Sequence, residues 1–428
     1  MRYRTLGRTG FQVSEIGLGG EYLEGQPLKQ VCDTVDAAMD AGINLLDCFM
    51  SNPEIRSDLG TALKGKRDKM YIQGHFRSIW KNGQYGRTMD VKVVREFFED
   101  LLRRMQTDYI DLGMIHMIDN AQEYDEIFNG PILEYALELK QKGVIRALGV
   151  SCHNPVQALR AAKTGLIDLM LFSVNPAYDV LNENAERPRK LDNRFFDSMQ
   201  QLGGINQVRE ELYRYCELHG VGITVMKSLA AGALLSDKTS PFGRAMTVQQ
   251  CMHYALSRPG VASVLVGMQS PEQVADCLRY ETMTQEELDY SFLFAAEPKF
   301  SMQGRCMYCN HCLPCAKHIN IAQLSKYLDM ALLDGVTPTL QGHYDALEHH
   351  AGECIACGSC EKNCPFEVPV MERMPRRMRL RPKSTSTMPE MIPSVIVHAM
   401  AANTCGSVMV SFTDAPMVPA AMVAAGSS

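Results

Sequence analysis

Seven short apolar runs of the strand type, separated by stretches of helical periodicity, occupy the first 295 residues of the chain. Strands that alternate with helices predict parallel pairing, with helices covering the faces of the sheet. Segment 11–20 can form a hairpin lid or an eighth strand, so the pattern predicts an eight-fold (β/α) barrel, with a doubly wound open sheet as the alternative. The seven runs are 43–49, 70–76, 109–116, 145–151, 168–175, 222–229 and 262–268.

Glycine spacing distinguishes between these two folds. A dinucleotide-binding open sheet carries G-x-G-x-x-G directly after its first strand. Gly17, Gly19 and Gly20 have the spacing G-x-G-G instead, so that motif is absent. In a barrel, chemistry gathers at the C-terminal ends of the strands, and we expect the polar residues there to face one mouth. These residues are Asp47, His75, His116, Ser151, Asn175 and Lys227.

Cysteine is concentrated in two runs near the C-terminus. Such clustering in a chain without a secretory signal indicates metal ligation rather than a disulfide framework. The first run is Cys306, Cys309, Cys312 and Cys315, at two-residue intervals; the second is Cys354, Cys357, Cys360 and Cys364, with Pro365 directly after it. The second run has the bacterial ferredoxin spacing, in which the fourth cysteine ligates the other of two clusters.

The two runs together predict two 4Fe–4S clusters. Zinc, the main alternative, usually takes two C-x2-C pairs or pairs with histidine. One cluster is predicted on Cys306, Cys309, Cys312 and Cys364, and the other on Cys354, Cys357, Cys360 and Cys315. The first run has alanine rather than proline after its last cysteine and x2 before it. The fourth ligand of each cluster therefore stays open.

The boundaries that follow are a barrel over 1–295, a mainly helical ferredoxin-like domain over 296–380 and a disordered tail over 381–428. The formal net charge of -6 argues against nucleic-acid binding, since phosphates call for a basic face. The N-terminal segment has no secretory signal pattern, so we expect a cytoplasmic protein.

The sequence also predicts possible roles for three further segments. The long connection 177–204 is either a lid over the mouth or surface decoration. The basic run 376–383 is a solvated face or a docking site for an acidic electron carrier. Residues 392–412 approach membrane-spanning length, but the polar residues among them favour a tail, and no membrane association is expected.

Several motifs of the first 290 residues resemble the aldo-keto reductase family. They are YRTLGRTGFQVSEIGLGG (3–20), INLLDC, DYIDLGMIH, IRALGVSCHN and VMKSLAAGAL, in that order. CMYCNHCLPC and CIACGSCEKNCP resemble the ferredoxin-like domain of the iron–sulfur branch of that family. The resemblance implies a (β/α)8 TIM barrel, a nicotinamide cofactor, commonly NADPH, and reduction of carbonyls.

The family's catalytic set of aspartate, tyrosine, lysine and histidine transfers only in part. The resemblance implies that Asp47 is the aspartate and His116 the histidine that orients the carbonyl. Asn52 stands at the tyrosine position and His75 at the lysine position. Asparagine cannot give up a proton at neutral pH, whereas histidine can act as a general acid. Tyr85 on the following loop is a candidate for the missing phenol, or an ordinary loop tyrosine.

The cofactor positions implied by the resemblance are also altered. Ser151 matches a contact of the nicotinamide amide, and Met226 stands where an aromatic side chain stacks on the ring. A pyrophosphate-binding loop is implied at Ser228 and Leu229, with Lys227 beside it. Gly267 stands where a cation binds the 2'-phosphate, so the choice between NADH and NADPH is open, and a flavin stays an alternative.

Two functions follow. The first is an oxidoreductase that links a barrel site for a small carbonyl or enone, with NAD(P)H, to electron transfer through the clusters and a ferredoxin-like carrier. The second is a non-catalytic redox sensor or binding module on a degenerate barrel, which the replaced tyrosine and lysine favour.

Overall fold

A computed structural model describes residues 1–180, 206–295 and 304–374, and in it eight parallel strands close into a barrel. This confirms the predicted (β/α)8 barrel, which belongs to the α/β class, and excludes the open sheet. The barrel order is β3, β4, β5, β8, β9, β10, β11, β12 and back to β3. The strands are β1 Tyr3–Thr5, β2 Gln12–Ser14, β3 Ile16–Gly19, β4 Leu45–Cys48, β5 Tyr71–Phe76, β6 Ser78–Lys81, β7 Gln84–Arg87, β8 Ile110–Ile115, β9 Ile145–Cys152, β10 Leu169–Ser173, β11 Gly222–Met226 and β12 Val261–Gly267.

Segment 11–20 forms both structures that were predicted as alternatives, a hairpin strand and the eighth barrel strand. Its first half, β2, pairs antiparallel with β1, and its second half, β3, is the barrel strand between β12 and β4. The side chain of Asn44 joins this hairpin to the barrel by accepting from Ser14 N and donating to Gln12 O, both at 2.8 Å. Since Asn44 directly precedes β4, the hairpin covers the N-terminal end of the barrel.

The helices around the barrel begin at capping residues that follow the strands. Asn52, Asp90, Asn120 and Asn154 each accept from a backbone N–H of the first turn, which satisfies groups that a helix end leaves without partners. The barrel helices are Leu28–Asp40, Pro53–Ala62, Val91–Arg104, Ala121–Phe128, Pro131–Gln141, Pro155–Lys163, Pro176–Val180, Gln207–His219, Val248–Leu256, Pro271–Leu278 and Phe292–Ala295.

Apolar side chains fill the barrel interior toward its N-terminal end. The hairpin contributes Leu6 and Val13, and the strands contribute most of the others. Each side chain that is fully buried in this way stabilises the barrel by roughly 1.5–3 kcal/mol. The buried members are Leu6, Val13, Leu45, Leu112, Met114, Ala147, Leu169, Leu171, Ala262 and Leu265. Near the C-terminal ends of their strands lie the polar residues Asp47, His75 and Ser151.

The C-terminal region has a small apolar cluster of its own, centred on Leu324, Tyr327, Leu340 and Tyr344. Its helices are Ile321–Asp334, Pro338–Asp345, Ser359–Asn363 and Val370–Arg373. In the part of the chain that the structure describes, no helix is long and apolar enough to cross a membrane. Most of the connection 177–204, the predicted domain boundary at 295/296, the basic run 376–383 and the tail 381–428 lie outside the described residues.

Candidate active site

Three polar residues at the ends of neighbouring strands form a hydrogen-bonded row. Asp47 is on β4, His75 is on β5 and His116 directly follows β8. His75 Nε2 lies 2.9 Å from Asp47 Oδ1, and His75 Nδ1 lies 2.9 Å from His116 Nδ1. Because β4, β5 and β8 are parallel neighbours, their C-terminal ends place these side chains side by side.

The row ends at the phenol of Tyr85. Tyr85 Oη lies 2.7 Å from His116 Nε2, and Ser151 Oγ lies 3.2 Å from His116 Nδ1. Exposed fractions are 6% for Asp47, 1% for His75, 3% for His116 and 6% for Tyr85. The structure thus brings together three of the four predicted catalytic residues and Tyr85, the candidate from the following loop.

One arrangement of protons satisfies every group in the row. The Asp47 carboxylate accepts from Gln73 Nε2 at 2.6 Å and from the N–H of His75 Nε2. His116 Nδ1–H then donates to His75 Nδ1, and the Tyr85 hydroxyl donates to His116 Nε2. Each imidazole carries one proton in this arrangement, which is assigned from the hydrogen-bond network.

The electrostatics around His116 favour its neutral form. Burial lowers the pKa of His116 well below its ordinary value, and His75, Arg87 and Arg77 lower it further. Burial also raises the pKa of Tyr85, although the nearby Arg87 and Arg77 guanidinium groups oppose this effect. The phenol therefore keeps its proton at neutral pH, so Tyr85 can serve as a hydrogen donor.

Asn52, the fourth predicted catalytic residue, has a structural role in this arrangement. Its Oδ1 accepts from Glu54 N at 3.0 Å as the cap of helix Pro53–Ala62, and its Nδ2 donates to Glu24 Oε1 at 2.8 Å. Within the described residues, no hydrogen bond joins Asn52 to the row. The dipeptide Asn52-Pro53 is a helix-start signal that sequence reasoning could have weighed.

Tyr85 belongs to a hairpin, β6–β7, that stands over the mouth and contacts the C-terminal region. Gln84 accepts from Cys315 N at 2.9 Å and donates to Cys315 O at 3.1 Å. Successive residues of a strand point to opposite faces. Gln84 therefore faces the cysteine region while Tyr85 faces His116.

Sequence reasoning missed two residues of the C-terminal region that fill the mouth. The ring of His311, which is 4% exposed, lies 5.8 Å from that of His116, 6.2 Å from that of Tyr85 and 5.2 Å from that of His153. Phe366 stacks on Tyr178 with ring centroids 5.9 Å apart. The positions of His311 between Cys309 and Cys312 and of Phe366 after Cys364-Pro365 were the available signals.

Three residues that the resemblance assigns to nicotinamide binding contact other residues of the chain in this structure. Ser151 Oγ accepts from Met117 N at 2.8 Å. Lys227 Nζ lies 5.6 Å from the Phe366 ring centroid, and the Tyr22 ring packs directly against Gly267. Met226, Ser228 and Leu229 stay predictions at the end of β11 and in the loop that follows. The His311 ring lies 5.8 Å from that of His116 and so occupies part of the same mouth.

The two cysteine runs share one backbone pattern. Cys306 Sγ accepts from Tyr308 N and Cys354 Sγ accepts from Ala356 N, both at 3.4 Å. Tyr308 and Ala356 both have left-handed backbone, with φ of 50° and 53°. An N–H directed at a cysteine sulfur is one of the contacts that tune iron–sulfur clusters.

The segments after the runs match as well. His318 and Glu367, each three residues after the last cysteine of its run, have φ of 54° and 52°. Helices Ile321–Asp334 and Val370–Arg373 begin three residues later in both cases. Each run is therefore followed by a left-handed residue and then a helix, which has 14 residues after the first run and 4 after the second.

Thiols from the two runs lie close to one another. Burial raises the pKa of Cys312 well above its ordinary value, and the neighbouring Cys309, Cys306 and Cys364 raise it further. Burial also raises the pKa of Cys360 to about 11, with contributions from Cys354 and Cys357.

The eight cysteines of the two runs are the donor set that the predicted clusters would use. Among the described residues, no three His, Cys, Asp or Glu side chains are arranged to hold one metal ion. A 4Fe–4S cluster instead separates its thiolates around four irons, so the donor set and the N–H groups fit that group.

A closed parallel barrel with an acid–base row at its C-terminal mouth defines a (β/α)8-barrel protein of the enzyme type. The model of the family described as "Aldo/keto reductase family" matches residues 15–247, more than half of the chain. The chain therefore belongs to the aldo/keto reductase family, a family of oxidoreductases. The matched residues end before the cysteine runs.

Relatives and solved structures agree with this assignment. The chain is 33% identical over 211 residues to aldo-keto reductase YhdN of Bacillus subtilis, a match that covers 45% of this chain and 60% of that protein. It is 28% identical over 320 residues to the uncharacterized oxidoreductase YqkF of the same organism, covering 67% and 94%. Aldo-keto reductase AKR11C1 from Bacillus halodurans, at 24% identity and a TM-score of 0.52, covers 70% of this chain and 98% of its own, and shows the fold.

Proposed function

We propose that this chain is an oxidoreductase that joins a carbonyl-type site in the barrel mouth to electron transfer through two 4Fe–4S clusters on its C-terminal cysteines. One observation carries the proposal. His311 Nδ1 lies 3.0 Å from Cys309 Sγ, and the His311 ring lies 5.8 Å from that of His116. A side chain next to a predicted cluster ligand thus contacts the acid–base row.

The two cysteine runs differ in exposure in a way that supports a direction of electron flow. Cys312 and Met307 of the first run are buried, and Cys309 packs against the barrel's apolar core. Cys357 of the second run is exposed, and Ile355 beside it is 53% exposed. We therefore place the docking of a ferredoxin-like electron carrier at the second run and delivery to the barrel at the first.

The reaction proposed is reduction of a small carbonyl compound or enone, which takes up two electrons and two protons. When bound, the clusters would supply single electrons. The chain's own residues would supply the protons. Asp47, His75 and His116 keep a buried hydrogen-bonded row at the mouth, and the buried His311 ring packs against its His116 end.

NAD(P)H is the cofactor that aldo-keto reductases typically use, and it is a proposal for this chain. Ser151 and the mouth are engaged by Met117 and His311, so we assign no step to a nicotinamide. Reduced nicotinamides are instead tested as donors to the clusters. A flavin is tested by the absorbance of the purified protein.

The test begins with anaerobic purification and analysis of iron and sulfide, for which two clusters predict about eight irons per chain. NADH, NADPH or reduced ferredoxin is then added while cluster absorbance is recorded, followed by a panel of small aldehydes, ketones and enones. Bleaching by a donor and recovery on adding a carbonyl are the expected results.

The matched control is Cys32→Ala, a cysteine outside both runs, which should leave iron content and bleaching unchanged. Clusters that bleach but are reoxidised by no carbonyl would count against the enzyme and favour a redox sensor. A chain without iron after anaerobic purification would overturn the proposal.

A further inference from the structure

We infer that Tyr85 is the proton donor to the substrate oxygen and that the row Asp47–His75–His116 reloads it. This inference rests on the proposed function and names a catalytic residue for it. A phenol 2.7 Å from His116 Nε2 places an acid and a carbonyl-orienting imidazole together at one mouth. Asn52, at the position where the family's tyrosine belongs, is engaged as a helix cap.

The row accepts one additional proton without losing a hydrogen bond. In this loaded arrangement His75 carries protons on both nitrogens, with Nε2–H donating to the Asp47 carboxylate and Nδ1–H donating to His116 Nδ1. His116 then carries its proton on Nε2 and donates to Tyr85 Oη, 2.7 Å away. The Tyr85 hydroxyl proton is thereby free to point at a substrate oxygen.

Proton delivery shifts three protons along the row. The Tyr85 proton bonds to the substrate oxygen, the His116 Nε2 proton moves to Tyr85 Oη, and the His75 Nδ1 proton moves to His116 Nδ1. His75 ends neutral, with its remaining N–H on the Asp47 carboxylate, which is the arrangement described above for the resting row. One proton leaves the row, and no electron moves in this step. A further turnover requires one proton from outside the row to return to His75.

The hairpin that carries Tyr85 also depends on the cysteine region. The side-chain amide of Gln84 pairs with both backbone groups of Cys315, and Gly86 lies against Pro314. Docking of the cysteine region therefore fixes the strand that presents the phenol to His116. The position of the Tyr85 hydroxyl therefore depends on both the barrel and the cysteine region.

His311 covers this donor in the present arrangement. Its ring centroid lies 6.2 Å from that of Tyr85 and 5.8 Å from that of His116, and both of those residues are buried. The proposed donor role therefore requires the His311 ring to leave this position when a substrate oxygen approaches Tyr85.

The test compares Tyr85→Phe with Tyr124→Phe in the cluster-loaded protein. Phenylalanine keeps the ring and its packing but removes the proton. Tyr124 is 8% exposed, and its hydroxyl donates to Arg160 O at 3.4 Å, with no hydrogen bond to the row among the described residues. Rapid mixing of the reduced protein with a carbonyl found by the panel gives the rate of cluster reoxidation.

Tyr85→Phe should slow reoxidation by at least about 100-fold, the usual contribution of a general acid. Reduction of the clusters by dithionite and the thermal midpoint should stay unchanged, and Tyr124→Phe should match the wild type. His75→Asn should also slow reoxidation, since it removes the residue that supplies the proton to His116 as His116 reprotonates Tyr85.

The outcomes separate the two claims. Tyr85→Phe that reoxidises within threefold of the wild type overturns the donor role and leaves the proposed function intact. A wild-type chain whose reduced clusters no carbonyl reoxidises overturns the proposed function and the donor role together.

Discussion

The two cysteine runs begin with the same backbone pattern and lie in opposite surroundings. In both, an N–H two residues after the first cysteine donates to its sulfur at 3.4 Å, and a left-handed residue precedes the helix. The first run is packed into the barrel mouth through Met307 and His311, whereas Cys357 and Ile355 of the second run are exposed. Equivalent loops can therefore take different roles, because packing outside the loop decides what each one contacts.

The largest effect is expected when a cysteine packed against the barrel, Cys309, is compared with the exposed Cys357. Cys309→Ala and Cys357→Ala should each lower the iron content from about eight to about four per chain. Cys309→Ala should also reduce carbonyl-dependent reoxidation to background, since the run that contacts the row has lost its cluster. Cys357→Ala should keep reoxidation after dithionite reduction and lose reduction by ferredoxin. Iron analysis and stopped-flow absorbance check both variants; equal reoxidation in the two would remove the distinction.

A second test replaces His311 of the first run and, as its control, Ser359 at the equivalent position of the second run. His311→Ala removes the contact between His311 Nδ1 and Cys309 Sγ at 3.0 Å. Ser359, two residues after Cys357, is the exposed counterpart. A hydrogen bond worth about 1 kcal/mol corresponds to about 40 mV for a one-electron couple, so one cluster potential should fall by about that amount. Redox titration followed by electron paramagnetic resonance measures it. The variant Ser359→Ala should leave both potentials in place.

A third test weakens the attachment of the first run to the hairpin. Gln84→Ala removes two hydrogen bonds to Cys315, which should destabilise docking by about 1–2 kcal/mol. Amide hydrogen exchange in 306–315 should become faster. The control Gln12→Ala removes an exposed hydrogen bond to Thr5 and should leave exchange in that segment unaltered. Unchanged exchange in Gln84→Ala would assign the docking to other contacts.

The smallest effect concerns pH near the first run. Burial raises the pKa of Glu21 from 4.5 to about 7, and Lys227 partly opposes this shift. The folded protein binds this proton more tightly than the unfolded chain does. The stability that the group contributes is therefore complete below pH 4.5 and is lost as pH rises through 7. The thermal midpoint of Glu21→Gln should thus exceed the wild-type value by a few degrees more at pH 8 than at pH 5. Exposed Glu54→Gln should give no such trend.

The barrel and part of its mouth could be predicted from sequence because they depend on local patterns. Apolar runs of strand length and helical periodicity between them specify alternating elements, and parallel order then brings Asp47, His75 and His116 together. The catalytic prediction for Asn52 rests on its match to the position of a family tyrosine. Its local signal, a cap before Pro53, describes what it does in the fold.

The remaining site residues depend on contacts between distant segments, which periodicity does not encode. Tyr85 reaches His116 through the register of a hairpin, in which it faces Trp80. His311 and Phe366 reach the mouth only because the C-terminal region packs there. Spacing predicted the cysteines as ligands, yet it carried no information about which run lies inside.

The pairing of Gln84 with Cys315 has a consequence for how such a protein can change in evolution or by design. A chain shortened before the first cysteine run would keep every barrel strand but would lose the surface that supports the hairpin of Tyr85. The cysteine region is thus not an accessory that can be added to or taken from a finished enzyme. Transplanting it onto another barrel requires the hairpin as well, because the two were fitted to each other.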